Sequence, residues 1–415
     1  MNQNFLFVYV GLLMFVASGV NAQPECFAPI AKYIPDSDVT QHTLLDKDIQ
    51  EINTLTLADD FEQALDIYTA GKNSLKTTGT RKLKDFSTTA QSLMTGQTYF
   101  ELYKSYWNSA TYGDDMFQAA YSMQEPYNNV DVAFQTVVRR EVMIKTIQYQ
   151  IVWMYVIREM EDAIDDCQAG TIENNDAGVH AWDEAWAFYT GSIEGVNGTG
   201  NGFSLYAGAH KRCAQFGTCL NGQAMANKIA LGLFAQGQAL LRTGACEAAA
   251  AVIPKIVSQM TIPLIQGALR YVLRGSTNDG WAGSATDFNK ERAEGYAFIA
   301  AVLPQIAACD ATAADVIQSN TVFNANPYMA AGMEAVVDAF QSTYKCMGIK
   351  CSEIGAMTEK DVNDAVNVIF PTCVDPTDVN GPFVTAAPTS TGFASKVSVT
   401  GSAILVMMMS WYLTA

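Results

Sequence analysis

The spacing of apolar residues predicts helices in nearly every long segment of the chain. Between Ala133 and Cys167 apolar side chains recur three, four or seven positions apart, which marks one face of a long helix. Charged residues interrupt this run, so it is not a membrane span. Asp59-Asp60 precedes a second pattern that begins at Phe61, as at an acid-capped helix start. Alternating strand patterns are scarce, and the sequence therefore predicts a mainly α protein.

Five further segments show helical patterning: 185–189, 229–241, 248–273, 292–308 and 328–344. Pro254, Pro263 and Pro304 fall within these segments. Because proline lacks the backbone N–H of a helical hydrogen bond, we expect each to begin, kink or end a helix.

Short motifs recur in the same order about 115 residues apart, which indicates an internal duplication. The pairs are Tyr68-Thr-Ala-Gly71 with Tyr189-Thr-Gly-Ser192, Tyr155-Val-Ile-Arg158 with Tyr271-Val-Leu-Arg274, and Glu184-Ala-Trp-Ala-Phe188 with Glu294-Gly-Tyr-Ala-Phe298. Chance similarity between amphipathic helices is the alternative. The duplication predicts two related helical lobes, residues 23–175 and 176–375, with disulfide-pinned loops and a binding cleft between the lobes.

Both ends of the chain resemble processing signals. Residues 1–22 contain an apolar core at 5–16 and predict a signal peptide cleaved after Ala22. Residues 376–402 form a polar linker and spacer, and 403–415 are mainly apolar, which together predict a GPI-anchor signal. A transmembrane tail is the alternative, although the apolar run is shorter than the roughly 20 residues that span a bilayer. Either reading predicts a protein of the secretory pathway, held at the plasma membrane on the extracellular side.

Charge and composition narrow the range of partners. The 415 residues carry a formal net charge of −17, which argues against binding to nucleic acid or anionic lipid and favours cations. The chain contains only three histidines, which limits zinc, copper and non-haem ferrous sites.

Nine cysteines in a predicted secreted chain indicate a disulfide framework. The short spacings favour the pairs Cys213–Cys219 and Cys346–Cys351, while the remaining five cysteines are too widely spaced to pair by inspection. Asn197-Gly-Thr is an N-glycosylation sequon, in agreement with the secretory route.

The densest polar motif lies between Gly178 and Tyr189. On a helix, His180 and Glu184 share a face, and Asp183 lies one position round, so this segment can offer one imidazole and carboxylates to a cation. Taken alone, the motif is better explained as an acidic first helical turn with a surface histidine.

Two further clusters contain oxygen donors and cations. Tyr206 and Arg212 lead into the Cys213–Cys219 loop, and a comparable group in the second repeat contains Glu291, Arg292, Glu294 and Tyr296. Phenol and carboxylate oxygens suit a hard, highly charged cation, and ferric iron is the obvious extracellular candidate. Calcium also accepts oxygen ligands, but no acidic loop with EF-hand spacing is present. No nucleophile elbow, zinc-protease motif, phosphate-binding loop or dinucleotide fingerprint is present, so we expect no enzymatic activity.

Several motifs resemble those of the algal low-iron-inducible periplasmic, iron-assimilating proteins, which include the phytotransferrins. They are Asp183-Glu-Ala-Trp-Ala-Phe-Tyr-Thr-Gly-Ser192, Leu205-Tyr206, Lys211-Arg-Cys-Ala-Gln-Phe-Gly-Thr-Cys219 and Glu291-Arg-Ala-Glu-Gly-Tyr-Ala-Phe298. The resemblance implies ferric iron capture at the cell surface with carbonate as synergistic anion, followed by endocytosis. Gly178-Val-His180-Ala-Trp-Asp183 is also similar to the Gly-x-His-x-x-Glu motif of imelysin-like iron-uptake proteins, with Asp183 in the last position or Glu184 one residue later.

The leading hypothesis is a ferric iron-binding protein for iron uptake, which releases its metal on acidification after endocytosis. The candidate ligands are His180, Asp183, Glu184, Tyr189, Tyr206, Glu291, Glu294 and Tyr296, with Arg212 or Arg292 holding carbonate. This role implies endocytic or reductase partners and no binding of nucleic acid. The alternative is a helical adhesion or receptor-interaction protein without a metal site.

Overall fold

The computed structural model describes residues 27–172, 178–275, 285–358, 367–368 and 373–375. These residues form sixteen α-helices and three short antiparallel hairpins, which confirms the predicted mainly α class. The predicted signal peptide, linker and C-terminal anchor signal lie outside the described residues.

The first helices run from the N-terminal loop to the end of one long helical segment. Their bounds are α1 Thr40–Thr43, α2 Leu45–Leu57, α3 Phe61–Ala70, α4 Thr98–Trp107, α5 Tyr112–Tyr121, α6 Val132–Thr146 and α7 Trp153–Gln168. A π-helical segment, Ile147–Val152, joins α6 to α7, so the predicted long helix is present with one wider turn. Asp60 caps α3 by accepting a hydrogen bond from the backbone N–H of Gln63, as the acidic start predicts.

The second group of helices begins after residues 173–177. Their bounds are α8 Gly178–Thr190, α9 Leu205–Phe216, α10 Met225–Arg242, α11 Cys246–Ala250, α12 Ile253–Arg274, α13 Ala285–Cys309, α14 Ala311–Thr321, α15 Gly332–Thr343 and α16 Cys351–Ile354. Pro254 lies in the first turn of α12, where its missing N–H costs little. Pro263 and Pro304 lie inside α12 and α13, so neither residue begins or ends a helix.

One large hydrophobic core joins the helices, and three helix pairings dominate it: α7 with α8, α12 with α13, and α6 with α13. The indoles of Trp153, Trp182 and Trp186 are fully buried in this core. The helical stretch Cys246–Arg274, which comprises α11 and α12, is long and apolar enough to cross a membrane, but most of its apolar part is buried within the fold. Burial of this kind is typical of a core helix. The proposed division into lobes and the duplication remain predictions.

The hairpins are small and local. They pair β1 Leu75–Lys76 with β2 Gly79–Thr80, β3 Cys219–Leu220 with β4 Gln223–Ala224, and β5 Met357–Thr358 with β6 Asn367–Val368. The first hairpin is tied to α1, because Ser74 Oγ donates to Gln41 O at 2.6 Å and Leu75 N–H donates to Gln41 Oε1 at 3.0 Å. This tether brings Arg81, which follows β2, beside α1.

The disulfides confirm one predicted pair and correct the other. Cys213 pairs with Cys219 as expected. Cys346 and Cys351 do not pair with each other: Cys346 bonds Cys309 at the end of α13, and Cys351 bonds Cys373. The reason is helix packing, since α14 and α15 fold back along α13 and bring Cys346 to the end of that helix. A fourth disulfide joins Cys167 to Cys246, and Cys26 lies outside the described residues.

Candidate metal centre

Three side chains from two distant parts of the chain converge on one point. His42 Nε2 lies 2.7 Å from Glu184 Oε1, and His180 Nε2 lies 2.9 Å from the same oxygen. Ligand atoms of all three residues lie within 4.8 Å of one another. Among the described residues, no other group of three His, Cys, Asp or Glu side chains is close enough to hold a metal ion. Two imidazoles and a carboxylate are well-known metal donors.

Helix α8 supplies two of the three side chains, and its Asp183 fixes the loop that supports them. Asp183 is fully buried and accepts hydrogen bonds from Tyr33 Oη at 2.5 Å, from Ser37 Oγ at 2.8 Å and from Gln238 Nε2 at 2.8 Å. The backbone N–H groups of Asp36 and Ser37 also donate to it, at 2.8 and 3.0 Å. Its carboxylate is therefore engaged by the N-terminal loop and does not face His42 and Glu184.

Ser37 determines which nitrogen of His180 carries the proton. The single Ser37 hydroxyl proton is donated to Asp183, so Ser37 Oγ accepts from His180 Nδ1 at 2.9 Å. A neutral His180 then carries its proton on Nδ1 and directs the Nε2 lone pair at the Glu184 carboxylate. Two acceptors that face each other at 2.9 Å require a cation between them, either a proton or a metal ion. Burial lowers the pKa of His180, but the Glu184 carboxylate outweighs burial and the pKa is raised.

The Nε2 atom of His42 likewise has contacts that a single protonation state cannot satisfy. This Nε2 contacts both Glu184 and the guanidinium of Arg81, while Nδ1 of His42 is buried and has no hydrogen-bond partner in the part of the chain that the structure describes. Burial, offset in part by Glu184, lowers the pKa of His42 and favours the neutral, metal-binding imidazole. Burial opposes ionisation of Glu184, but both imidazoles lower its pKa well below the usual value, so the carboxylate is ionised.

Additional oxygen donors lie on α7 beside the three residues. The Tyr155 ring stacks on Phe86 at 3.6 Å and meets Phe188 edge-on at 5.4 Å. Glu159 lies one helical turn further along α7, where its charge adds to the effect of burial in raising the pKa of Tyr155, and it is 2 % exposed. Burial, together with the Glu184 charge, raises the pKa of Glu159 well above its usual value. Arg158 contacts Glu159 and partly offsets this effect.

Tyr189 and Tyr206 belong to an aromatic cluster away from this centre. Both are buried, and their ring centroids lie 6.2 Å apart. Tyr189 Oη donates to Asn227 Oδ1 at 2.6 Å, and Tyr206 O accepts from Asn227 Nδ2 at 3.0 Å. The structure thus gives these phenols a packing role and does not bring them to His180 and Glu184.

The candidate ligands assigned to the predicted second repeat are dispersed over three places. Glu291 lies 2.8 Å from the guanidinium of Arg274. Glu294 joins a separate cluster with Glu141 and Tyr271. Tyr296 is buried with its ring centroid 6.2 Å from that of Tyr127, and burial raises its pKa to about 12.

The two candidate anion-binding arginines are also remote from the centre. The Arg212 guanidinium lies 5.5 Å from the centre of the Tyr271 ring. Arg292 is stacked between Phe288 at 4.1 Å and Tyr328 at 3.9 Å, beside a surface cavity. Asn197 is exposed, and its glycosylation remains a prediction.

Sequence reasoning missed His42, Arg81, Tyr155 and Glu159. His42 lies on a helix of four residues, too short to show an apolar period. The only available signal was the scarcity of histidine, since three in 415 residues make each one a candidate.

Comparison with known proteins supports the iron-related interpretation. Neither the curated proteins nor the solved structures contain a match to this chain. A family model described as "low iron-inducible periplasmic protein" matches residues 5–377, which is most of the chain. The description indicates iron assimilation under low iron and a secreted or cell-surface location. The chain belongs to the Fea1 family of low iron-inducible periplasmic proteins.

Proposed function

We propose that the protein binds ferric iron at the centre formed by His42, His180 and Glu184, for iron uptake at the cell surface. The single observation that carries the proposal is the convergence of both Nε2 atoms on Glu184 Oε1, at 2.7 and 2.9 Å. A metal ion satisfies these facing lone pairs, because it binds His42, His180 and Glu184 as ligands. The family's low-iron description supports iron as the cargo.

Oxygen donors next to the centre favour the ferric over the ferrous ion. Two imidazoles and one carboxylate alone suit ferrous iron, whereas phenolate and further carboxylate ligands suit the harder ferric ion. Tyr155 and Glu159 are the nearest such donors, and Glu184 influences the pKa of both. We propose that they complete the shell, with Tyr155 losing its proton to the metal. A visible phenolate-to-iron absorption band that disappears in Tyr155→Phe and persists in Tyr189→Phe and Tyr206→Phe is the expected signature.

We propose that the synergistic carbonate binds at Arg81 and not at Arg212 or Arg292. The Arg81 guanidinium contacts His42, and its pKa responds to the charges of Glu184 and Tyr155. A guanidinium offers two parallel N–H donors to a planar oxyanion. Iron affinity is expected to rise with bicarbonate in the wild type and to lose that dependence in Arg81→Met.

Removing the Ser37 hydroxyl is expected to weaken iron binding without unfolding the protein. Ser37→Ala leaves His180 Nδ1 without its acceptor, so the Nε2 lone pair is no longer fixed toward the metal. Mutation of a residue that hydrogen bonds a metal ligand typically lowers the metal affinity by about 10–100-fold, and we expect a loss in that range. Competition titration against a ferric chelator measures it, and an unchanged dissociation constant would exclude the tautomer argument.

Iron affinity is expected to fall on acidification, as uptake with release in an acidified vesicle requires. Because burial raises the pKa of Tyr155 well above its usual value, its proton opposes iron binding throughout the range from pH 8 to pH 5; further protons compete at His180, whose pKa is raised, and at lower pH at His42, whose pKa is lowered. Each proton that the metal displaces contributes about a tenfold loss of affinity per pH unit below its pKa. Dissociation constants measured from pH 8 to pH 5 should therefore increase as the pH falls, and a flat profile would contradict this ligand set.

We also propose a binding role without catalysis, for a protein carried through the secretory pathway and anchored outside the cell. An adhesion or receptor protein without a metal site is the second candidate, but the convergence of two imidazoles on the ionised Glu184 carboxylate favours a bound cation. Metal analysis of protein purified without chelators separates these two functions. Iron in the wild type and none in Glu184→Gln supports the first.

A further inference from the structure

A surface cavity of about 460 Å³ shares no residue with the candidate metal centre. We call it the Arg292 cavity. Side chains from three parts of the chain line it: the segment 126–134 around the start of α6, the first turns of α13, and residues 323–326, which follow α14. Its volume falls within the roughly 300–1,000 Å³ that small-molecule sites occupy. The cavity is therefore large enough to hold a small molecule.

Arg292 is held at the wall of this cavity by aromatic rings. Its guanidinium is stacked between Phe288 and Tyr328, at 4.1 and 3.9 Å from the ring centres. A Cβ on Gly275 would lie 3.2 Å from Arg292 Cγ and 3.3 Å from the Tyr328 hydroxyl, so glycine leaves room for this stack. None of the described residues forms an ion pair or a hydrogen bond with the guanidinium. Because Nε is buried, the two Nη groups are the donors that remain for a ligand.

The charges that line the cavity cancel. Arg292 supplies one positive charge and Asp131 one negative charge, and the other lining residues are uncharged. Asp131 caps α6, since its Oδ1 accepts from the Ala133 N–H at 2.9 Å, and its Oδ2 remains available to a ligand. A single carboxylate without imidazole or thiolate is a poor metal site, and a cavity without net charge does not select an anion. The lining therefore favours a neutral ligand.

Asparagine side chains form most of the polar lining. The four are Asn129, Asn289, Asn324 and Asn326. Asn129 and Asn326 are exposed, and none of the described residues forms a hydrogen bond with either side chain. Each carboxamide offers both an acceptor oxygen and N–H donors. A hydroxyl group also donates and accepts, so the amides match a ligand that carries several hydroxyl groups.

Aromatic side chains contribute to the apolar part of the lining. Phe323 is 6 % exposed, and its ring centre lies 5.3 Å from that of the fully buried Tyr127. Phe134, on α6, is half-buried. The face of an aromatic ring is electron-rich and attracts C–H groups. A sugar ring carries C–H groups on its faces and hydroxyls around its edge, so it fits amides and aromatic rings together.

We infer that the Arg292 cavity binds a neutral sugar ring, either as a free sugar or as one residue of a glycan chain. Hydroxyl oxygens of the sugar accept from the Arg292 Nη groups, and one sugar hydroxyl donates to Asp131 Oδ2. The asparagine side chains bind the remaining hydroxyls, and Phe134 and Phe323 pack against the ring. This inference does not depend on the proposed iron site, because the two sites have no residue in common.

An array of immobilised glycans, probed with the labelled full-length protein, tests the inference. The array carries neutral, uronic-acid and sulfated oligosaccharides, and we expect binding to neutral members that share one sugar residue. Calorimetric titration with a bound oligosaccharide, and with the methyl glycoside of the shared sugar, then measures both affinities. Tighter binding of the oligosaccharide identifies a glycan chain as the ligand, and equal affinities identify a free sugar.

Two substitutions in the lining should weaken this binding. Arg292→Met removes charged donors and should lower the affinity by about tenfold or more, because hydrogen bonds from charged groups are the stronger ones. Asn129→Ala removes one neutral carboxamide at an exposed position and should lower it by about two- to tenfold. Arg139→Met is the matched control for the first, because Arg139 also lies over two rings, Phe61 at 4.7 Å and Tyr121 at 5.9 Å, and does not line the cavity.

Asn201→Ala, at an exposed asparagine that does not line the cavity, is the control for Asn129→Ala. Both controls should bind the glycan as the wild type does. His180→Ala should also retain glycan binding, which separates this site from the iron centre. Binding to no neutral glycan, or only to uronic-acid and sulfated glycans, would overturn the inference. So would unchanged affinity in Arg292→Met or, if that variant does not fold, in Asn129→Ala.

Discussion

His180→Ala is expected to abolish high-affinity iron binding while leaving the fold intact. The substitution removes one of three converging ligands. Loss of a direct ligand should lower the iron affinity by more than the roughly 10–100-fold expected for loss of a supporting residue. The side chain is 22 % exposed, so its loss opens no sealed cavity. Equilibrium competition for ferric iron against a chelator measures the affinity, and circular dichroism confirms the helical content.

The third histidine provides the control. His210 lies on α9, next to Gly200, and outside the group of three ligands. His210→Ala should bind iron as the wild type does. Equal losses in His180→Ala and His210→Ala would indicate a non-specific effect of removing histidines and would contradict the assigned centre.

Asp183→Ala is expected to lower the free energy of unfolding by about 5 kcal/mol or more, since five hydrogen-bond donors lose their acceptor at about 1–3 kcal/mol each. The donors come from Tyr33, Asp36, Ser37 and Gln238, so the substitution removes the carboxylate that joins the N-terminal loop to α8 and α10. Because Ser37 also orients His180, iron affinity should fall even at temperatures where the variant is folded. Chemical denaturation measures the first effect and iron titration the second.

Asp162→Ala is the matched control for this substitution. Asp162 contacts Arg158 at 3.2 Å, but its side chain is 37 % exposed and water can replace the contact. We expect a change of less than about 1 kcal/mol. If Asp183→Ala proved as mild as Asp162→Ala, the hydrogen bonds assigned to Asp183 would not stabilise the protein.

Much of the helical architecture follows directly from local patterns. The apolar period predicts α6, α7, α10, α12 and α13, and the acids before Phe61 predict the start of α3. These elements were predictable because each long helix buries one stripe of its own sequence. Pro263 and Pro304 were harder to interpret, since the surrounding core keeps both inside continuous helices.

The candidate site was only half predictable, because it depends on a contact between distant segments. His180 and Glu184 are adjacent on one helical face, so their spacing alone brings them together. His42 is 138 positions before His180 and reaches it only through the packing of α1 on α8. Asp183 illustrates the same limit: its spacing suggested a ligand, but the tertiary fold directs it to the N-terminal loop.

Calorimetric titration of the metal-free protein with ferric iron, in parallel for the wild type and Glu184→Gln, tests the central claim most directly. Glu184 is the one residue that both imidazoles contact, so the account predicts one ferric ion bound tightly per centre in the wild type and none in the variant. Absence of binding in the wild type, or full binding in Glu184→Gln, would contradict an iron centre formed by His42, His180 and Glu184.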